Sequence, residues 1–368
     1  MSLLIHMLES GQFADKRILA VDLSAKSLND RTWCFWEKDA GVFESVVSKT
    51  WKHLWFHGAT FSKLLHIHPY QYKMIRGIDF YTYCLSRIQA APNMEIMYGS
   101  ISEMRSEASG AYIILENKKI IANYIFSSIY AKQERQPGDH HLIQHFLGWV
   151  IEMDKDRFNP EQATLMDFQT TQEYGTSFIY LMPLTKRKAL IEFTIFSERL
   201  IESEQYESVL REYMNNHFGS ESFAISEKEV GAIPMTNQVF PEQEGRINYI
   251  GSAGGRTKPS SGYTFYFIQQ QSERIVKDLL KYSHPLPFRT NRKFRFYDRV
   301  LLNVLATDKM KGEKLFTRFF QANRISDALA FLNNESGYGQ DLGIISSLPW
   351  KPFLKAGWEE RKRRQRAK

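Results

Sequence analysis

Glu192 stands in the run Leu190-Ile191-Glu192-Phe193-Thr194, an acid with apolar neighbours on both sides. Desolvation in such a run raises a carboxyl pKa and keeps its proton on, which suits a general acid. Taken alone, these residues favour an outward-facing acid on an edge strand. A second stretch able to do chemistry is Gly251-Ser252-Ala253-Gly254-Gly255-Arg256-Thr257-Lys258-Pro259-Ser260-Ser261-Gly262-Tyr263. Its glycines let backbone N–H groups approach a ligand, and a following helix N-terminus favours negative charge or an electron-rich ring edge. A loop that only turns the chain has the same spacing. Asp22 closes the apolar run Arg17–Val21 and is placed to accept from a ribose hydroxyl. Arg31 fits a phosphate contact or a packing role equally. His66, His68, His141 and His145 lack carboxylate or thiolate partners at ligand spacing, and strand-like alternation over 142–150 separates the last two. No metal site is expected.

The elements that must hold these residues can be read from periodicity and turn signals. Residues 1–10 form a short amphipathic helix, and 17–22 a strand buried on both faces. Helix, turn, strand and terminal acid make up the second half of a dinucleotide-binding βαβ unit. The first strand and Gly-x-Gly-x-x-Gly turn are not found, so the chain is expected to be N-terminally truncated, by roughly 15 to 20 residues. Further along come a helix at 78–90, several strands over 95–129 with a central strand at 124–130, and a β-rich block over 142–194. A helix at 206–218, a strand at 247–250 and a long helix at 263–282 follow, and the chain is mainly helical beyond Pro287. The expected class is mixed α/β: a Rossmann-like domain (1–40, 91–135, 245–285) interrupted by a β-rich substrate domain (41–90, 136–244). A helical region with a basic tail (286–368) completes it.

A chain of 368 residues with 43% apolar and 14% aromatic content can bury a large core. No apolar run reaches the eighteen or so residues of a spanning helix, and the start lacks the basic and small-residue features of a signal peptide. Two cysteines, Cys34 and Cys84, argue against a disulfide framework and for a reducing compartment. Of the 48 Lys and Arg, six lie in the last eight residues, leaving a body that nearly balances its 41 acids. Basicity confined to a tail fits an anionic membrane surface, or a solvated terminus, better than nucleic acid. The basic and aromatic stretch Arg289–Tyr297 is read as membrane contact or plain surface.

Several segments, in order, resemble bacterial lycopene cyclases. They are Asn29-Asp30-Arg31-Thr32-Trp33-Cys34-Phe35-Trp36, Gln144-His145-Phe146 with Gly148, Leu165-Met166-Asp167-Phe168, Tyr180-Leu181-Met182-Pro183-Leu184, Leu190–Thr194, Gly231-Ala232-Ile233-Pro234-Met235, and the glycine loop through Tyr263. Phe296-Tyr297-Asp298 and Leu315–Phe320 also fit. The resemblance implies FAD, used in reduced form as an electrostatic stabiliser, with NAD(P)H needed only to reduce it. Gly251, Ala253, Gly254, Gly255, Pro259 and Gly262, with Asp22 and Arg31, would then contact the flavin nucleotide. Glu192 matches the family's essential acid, and Asp167 becomes the natural second carboxylate. Many members carry a second acid where this chain has Phe193, so an adjacent-carboxylate mechanism is not implied here. The implied reaction is non-redox ring closure of lycopene to β-carotene through γ-carotene. The implied setting is the cytoplasmic side of the cell membrane, with peripheral attachment to lipid. On the same fold, the alternatives are a flavin monooxygenase, a prenyl-chain reductase, or a carotenoid-binding protein without catalysis.

Overall fold

The computed structural model describes residues 1–130, 134–136, 138–288 and 290–366. Arg289 of the basic and aromatic stretch, and Ala367 and Lys368 of the basic tail, lie outside the described residues. The chain opens with α1 (Ser2–Ser10), β1 (Ile18–Asp22), β2 (Thr32–Glu37), β3 (Lys49–Trp51), β4 (His53–His57), β5 (Ser62–His66), β6 (Gln71–Arg76) and α2 (Gly77–Gln89). Next come β7 (Met94–Tyr98), β8 (Ile101–Ser106), β9 (Ala111–Leu115), β10 (Lys118–Ala122), β11 (Ile125–Ser127), β12 (His141–Met153), β13 (Gln162–Asp167), β14 (Thr176–Pro183) and β15 (Lys188–Ser197). Then follow α3 (Ser203–Phe218), β16 (Phe223–Thr236), β17 (Gln243–Glu244) and β18 (Ile247–Tyr249). Six helices close the described chain: α4 (Phe265–Tyr282), α5 (Arg292–Ala306), α6 (Gly312–Ala322), α7 (Ile325–Leu332), α8 (Tyr338–Ser347) and α9 (Trp350–Arg366).

The largest sheet has strand order β16-β12-β15-β14-β13-β4-β5. Its inner strands β12 to β15 are largely apolar on both faces because both are covered, whereas edge strand β16 alternates half-buried and exposed residues over most of its length. On one face α3 lays Tyr206, Leu210, Tyr213 and Met214 against Trp149, Ile179, Ile191, Phe193 and Ile195. A capping box at Glu202 and Gln205 fixes where α3 starts. The other face carries Tyr180, Phe178, Phe196 and Met182 against Trp36, Trp51 and Tyr72 and the helices α5–α9. Phe56 meets Phe320 with ring centroids 4.8 Å apart, and Phe168 stacks on Phe316 at 6.0 Å. Each such fully buried aromatic contributes about 2–3 kcal/mol from area alone, so the helical region is packed onto the sheet and not merely tethered to it.

The nucleotide-type elements gather around α1, α2 and α4. Ile5, Phe80, Cys84 and Ile88 pack with Phe265, and Leu3 and Met7 with Ile275 and Val276. Within 41–90, therefore, β4 and β5 join the large sheet while α2 packs on α1 and α4. Two expectations are corrected. β1 is half-buried along its length, because its hydrogen-bonded neighbour is β7 alone, on one edge. The stretch 124–130 yields only the three residues of β11, at the edge of the sheet β11-β18-β17, and not a central strand.

Candidate active site

Glu192 on β15 and Glu229 on β16 both lie opposite Gly148 of β12, which runs between them. Directly opposed residues point to the same face, so both carboxylates rise on the face packed against β2 and β6. Across two strand spacings of about 4.8 Å, two glutamate side chains can meet only if the middle residue leaves room. Gly148 leaves it: a Cβ there would sit 3.1 Å from Glu229 Cγ and 3.5 Å from Glu192 Cβ. The two carboxyl groups are hydrogen-bonded to each other. Thr194 donates its hydroxyl to Glu192 Oε1 at 2.6 Å, and Thr32 of β2 donates to Glu229 Oε2 at 2.6 Å.

Burial pushes Glu192 well above the ordinary carboxylate range, and the charge of Glu229 pushes it further. Glu229 is raised as well, again chiefly by burial, and Thr32 pulls against that rise. Two carboxylates in one low-dielectric site cannot both ionise at little cost, so the pair holds one proton. Glu192 is the deeper member, 7% exposed, and keeps it. Around it stand the Cys34 thiol and the phenols of Tyr72, Tyr180 and Tyr263. Tyr180 and Tyr263 hydroxyls are 3.4 Å apart, and Trp36 meets the Tyr263 ring edge-on at 4.6 Å. An acid buried among aromatic rings can protonate a weak base and stabilise the cation that results.

Asp167 is not brought to this site. On β13 it pairs with Ile179, which pairs with Phe193, and all three face α3. Glu192, one residue before Phe193, faces the other way because side chains alternate across a strand. Asp167 is 2% exposed and accepts a hydrogen bond from the Tyr213 hydroxyl of α3 at 2.9 Å. Glu229 is the partner that sequence reasoning missed. It sits two residues before the Gly231–Met235 motif, in the run Ser226-Glu227-Lys228-Glu229-Val230, where nothing local distinguishes it from a solvated acid. His145 is likewise occupied, by the Tyr206 hydroxyl at 2.5 Å and the Ser197 hydroxyl at 2.7 Å. His141 lies on the same face of the same strand, so pleat alternation does not part them. Four residues of extended chain do.

The glycine loop follows β18 as a single 3-10 turn, Gly251–Gly254, and leads to α4. Gly251, Gly255 and Gly262 all have positive φ, at 59°, 71° and 72°, where a side chain would strain the backbone. Gly251 is buried, its N–H donates to Gln271 Oε1 at 2.9 Å and its carbonyl accepts from the Arg256 N–H at 2.9 Å. Ala253 and Gly254 are buried, and the Gly254 Cα abuts the Tyr249 carbonyl. Gly262 lies against Gln144, whose Oε1 is buried without a partner, as is the neighbouring Ser261 hydroxyl. These two unspent polar atoms beside the loop fit the polar edge of a flavin. Asp22 ends β1 about a third exposed, with Lys26 3.1 Å away. Arg31 pairs with Asp30 at 2.8 Å and, half exposed, keeps donors free of the core. Pro259 lines a small cavity on the α5 side of the loop.

Solved structures with this architecture include flavoproteins. A geranylgeranyl bacteriochlorophyll reductase-like protein from Thermoplasma acidophilum superposes with a TM-score of 0.56 at 12% identity, covering 96% of this chain and 92% of that one. A flavoprotein/dehydrogenase from Cytophaga hutchinsonii gives 0.56 at 10% identity, with 98% and 96% covered. A probable FAD-dependent monooxygenase from Pseudomonas aeruginosa gives 0.55 at 11%, with 84% and 94% covered. The mixed α/β fold is that of Rossmann-type FAD-binding flavoproteins. No curated protein matches the sequence. Residues 6–357, nearly the whole length, match the family described as Lycopene cyclase protein, and the chain belongs to that family.

Proposed function

We infer that the protein closes the ends of lycopene into β-rings by acid catalysis, without net redox change. The buried Glu192–Glu229 pair carries this reading. Glu192 gives its proton to the terminal double bond, and the neighbouring double bond attacks the tertiary cation so formed. The ring carbon then loses a proton to the carboxylate pair, which returns to its starting state. No atoms or electrons are gained, and the pair is most negative when the substrate is most positive. Tyr72, Tyr180, Tyr263 and Trp36 exclude water and offer aromatic surface to the cation.

The glycine loop, Asp22 and Arg31 would hold FAD. Held there in reduced form, with NAD(P)H needed only to reduce it, FAD would supply electron-rich character that favours a cationic transition state. A long apolar substrate needs an apolar entrance. Between α5, α6, α7, α8 and α9 opens a cavity of about 870 Å³, lined by residues such as Val300, Phe316, Phe319 and Phe331. Trp350, Leu354 and Trp358 stand exposed at its rim beside Lys355 and Arg361. Exposed tryptophans with adjacent cations suit peripheral attachment to anionic lipid on the cytoplasmic side of the membrane. No helix among the described residues is long and apolar enough to cross one.

Expression in a lycopene-accumulating host tests the reading. The wild-type chain is expected to convert red lycopene to cyclic carotenes, and Glu192→Gln to lose the conversion at unchanged protein level. Stoichiometric NAD(P)H consumption by the purified protein would instead favour a monooxygenase or a prenyl-chain reductase.

A further inference from the structure

We propose that the proton on Glu192 is exchanged with solvent between turnovers through Glu229 and then Glu227, the outer acid of the path. The inference rests on the reading of Glu192 as the acid and adds a residue that acts through it. Ring closure returns a proton to the carboxylate pair. A sealed site would therefore give each ring the proton taken from the last one, and solvent hydrogen would not reach the product.

Around Glu192, burial raises the phenols of Tyr72, Tyr180 and Tyr263 and the Cys34 thiol, so these groups keep their own protons at neutral pH. Cys34 directs its hydrogen to Met182 Sδ at 3.3 Å. Thr194 gives its hydroxyl to Glu192 itself. Glu229 is the acid hydrogen-bonded to Glu192, and β16 carries the path outward from there. Glu229 and Glu227 lie opposite Gly148 and Val150 of β12, so they share a face. Two residues of strand span about 6.6 Å, within reach of two glutamate side chains.

Exposure rises along this row. Glu192 is buried, Glu229 is half-buried, and the Glu227 side chain is 36% exposed. Glu227 Oε2 accepts from Asn29 Nδ2 at 2.7 Å, and the Arg76 guanidinium stands 3.9 Å from Oε1. The charges of Glu227 and Asp30 both act on Glu229. Asp30 is the poorer carrier, because Arg31 holds both its oxygens, at 3.2 and 2.8 Å, and Tyr81 donates to Oδ1 at 2.7 Å. A carboxylate gripped by a cation resists protonation. Glu227, whose nearest donor is a neutral amide, takes a proton more readily. Inward, a proton from water joins the Glu227 carboxylate, Glu227 passes one to Glu229, and Glu229 passes one to Glu192. Outward, each step reverses.

Infrared spectroscopy of the FAD-loaded full chain, diluted from water into deuterium oxide, tests this without substrate. The protonated-carboxyl band, assigned by its loss in Glu192→Gln, is expected to move to its deuterated position. Glu227→Gln should slow that movement by about tenfold or more. The new amide still accepts from Asn29, so only the capacity to carry a proton is removed. Glu227→Asp should restore much of the rate. Asn29→Ala, which removes the anchor and keeps the acid, should exchange faster than Glu227→Gln. Carotene made by Glu227→Gln in deuterium oxide should also carry less solvent label per ring than that made by the wild type. Exchange as fast in Glu227→Gln as in the wild type, or a wild type without the band, overturns the proposal. Slowed exchange in Glu227→Gln supports the path even if lycopene is not cyclised, an outcome that would overturn the cyclase reading alone.

Discussion

At the scale of single residues, the proton on Glu192 is held by burial and by the charge of Glu229, so removing either should be visible in pH dependence. Activity is expected to fall at alkaline pH as Glu192 loses its proton. Glu229→Gln removes the like charge that helps raise Glu192, so its descending limb should lie at lower pH than that of the wild type, read from initial rates of carotene cyclisation. A limb that stays in place would mean that the two groups titrate independently. The same raised pKa has a consequence for folding. The folded state binds a proton that the unfolded state releases above the ordinary carboxylate range, so this contribution to stability is lost as pH rises toward the folded value. Glu192→Gln should flatten that slope in denaturation measured at neutral and alkaline pH. Glu192 was legible through the likeness of Leu190–Thr194 to the family motif, since its apolar neighbours alone favour an outward-facing acid. Glu229 was not, because its environment is made by Gly148 and Thr32, which only strand pairing brings near.

Among elements, the decisive device is Gly148 in the middle strand of three. Gly148→Val would place atoms where the Glu229 and Leu190 side chains now stand, at 3.1 Å from an added Cβ. Overpacking of this kind costs about 1–3 kcal/mol, and it should separate the carboxylates. The expected result is a folded protein of lowered Tm that has lost cyclisation, with flavin content and secondary structure retained. Asp167 makes the contrasting case. It bonds Tyr213 on the opposite face, so Asp167→Asn should cost about 1–3 kcal/mol in urea denaturation while cyclisation per folded molecule persists. The runs of β13 and β15 could be read as strands from their residues, but not the face of each carboxylate. Both faces of these two strands are covered, so hydrophobic alternation, the usual guide to facing, is absent from them. The half-buried state of β1 escaped notice for a related reason: an apolar run records burial in general, not the number of strands beside it.

For the whole molecule, the order of nucleotide-type elements, β-rich sheet and helical C-terminal region was readable from periodicity and turn signals. The packing of α5–α9 onto the sheet around a large apolar cavity was not, since it depends on contacts between distant segments. Only the side chains of Arg361, Lys362 and Arg363 are described from the basic tail, and Arg363 pairs with Asp139. The exposed Trp350 and Trp358 are therefore the sharper probe of a lipid surface. Trp350→Ser with Trp358→Ser should reduce flotation with acidic vesicles. The residual binding should decline with salt, since each cation near such a surface contributes about 1 kcal/mol that ions screen. Flotation equal to wild type would remove these residues from any lipid contact. The central claim, that a carboxyl proton starts ring closure and no electrons are consumed, is tested most directly by the mass of the carotene formed in deuterium oxide. The account predicts an isomer of lycopene carrying one solvent-derived deuteron per ring. A product with added hydrogen or oxygen, or rings without solvent label, would contradict it.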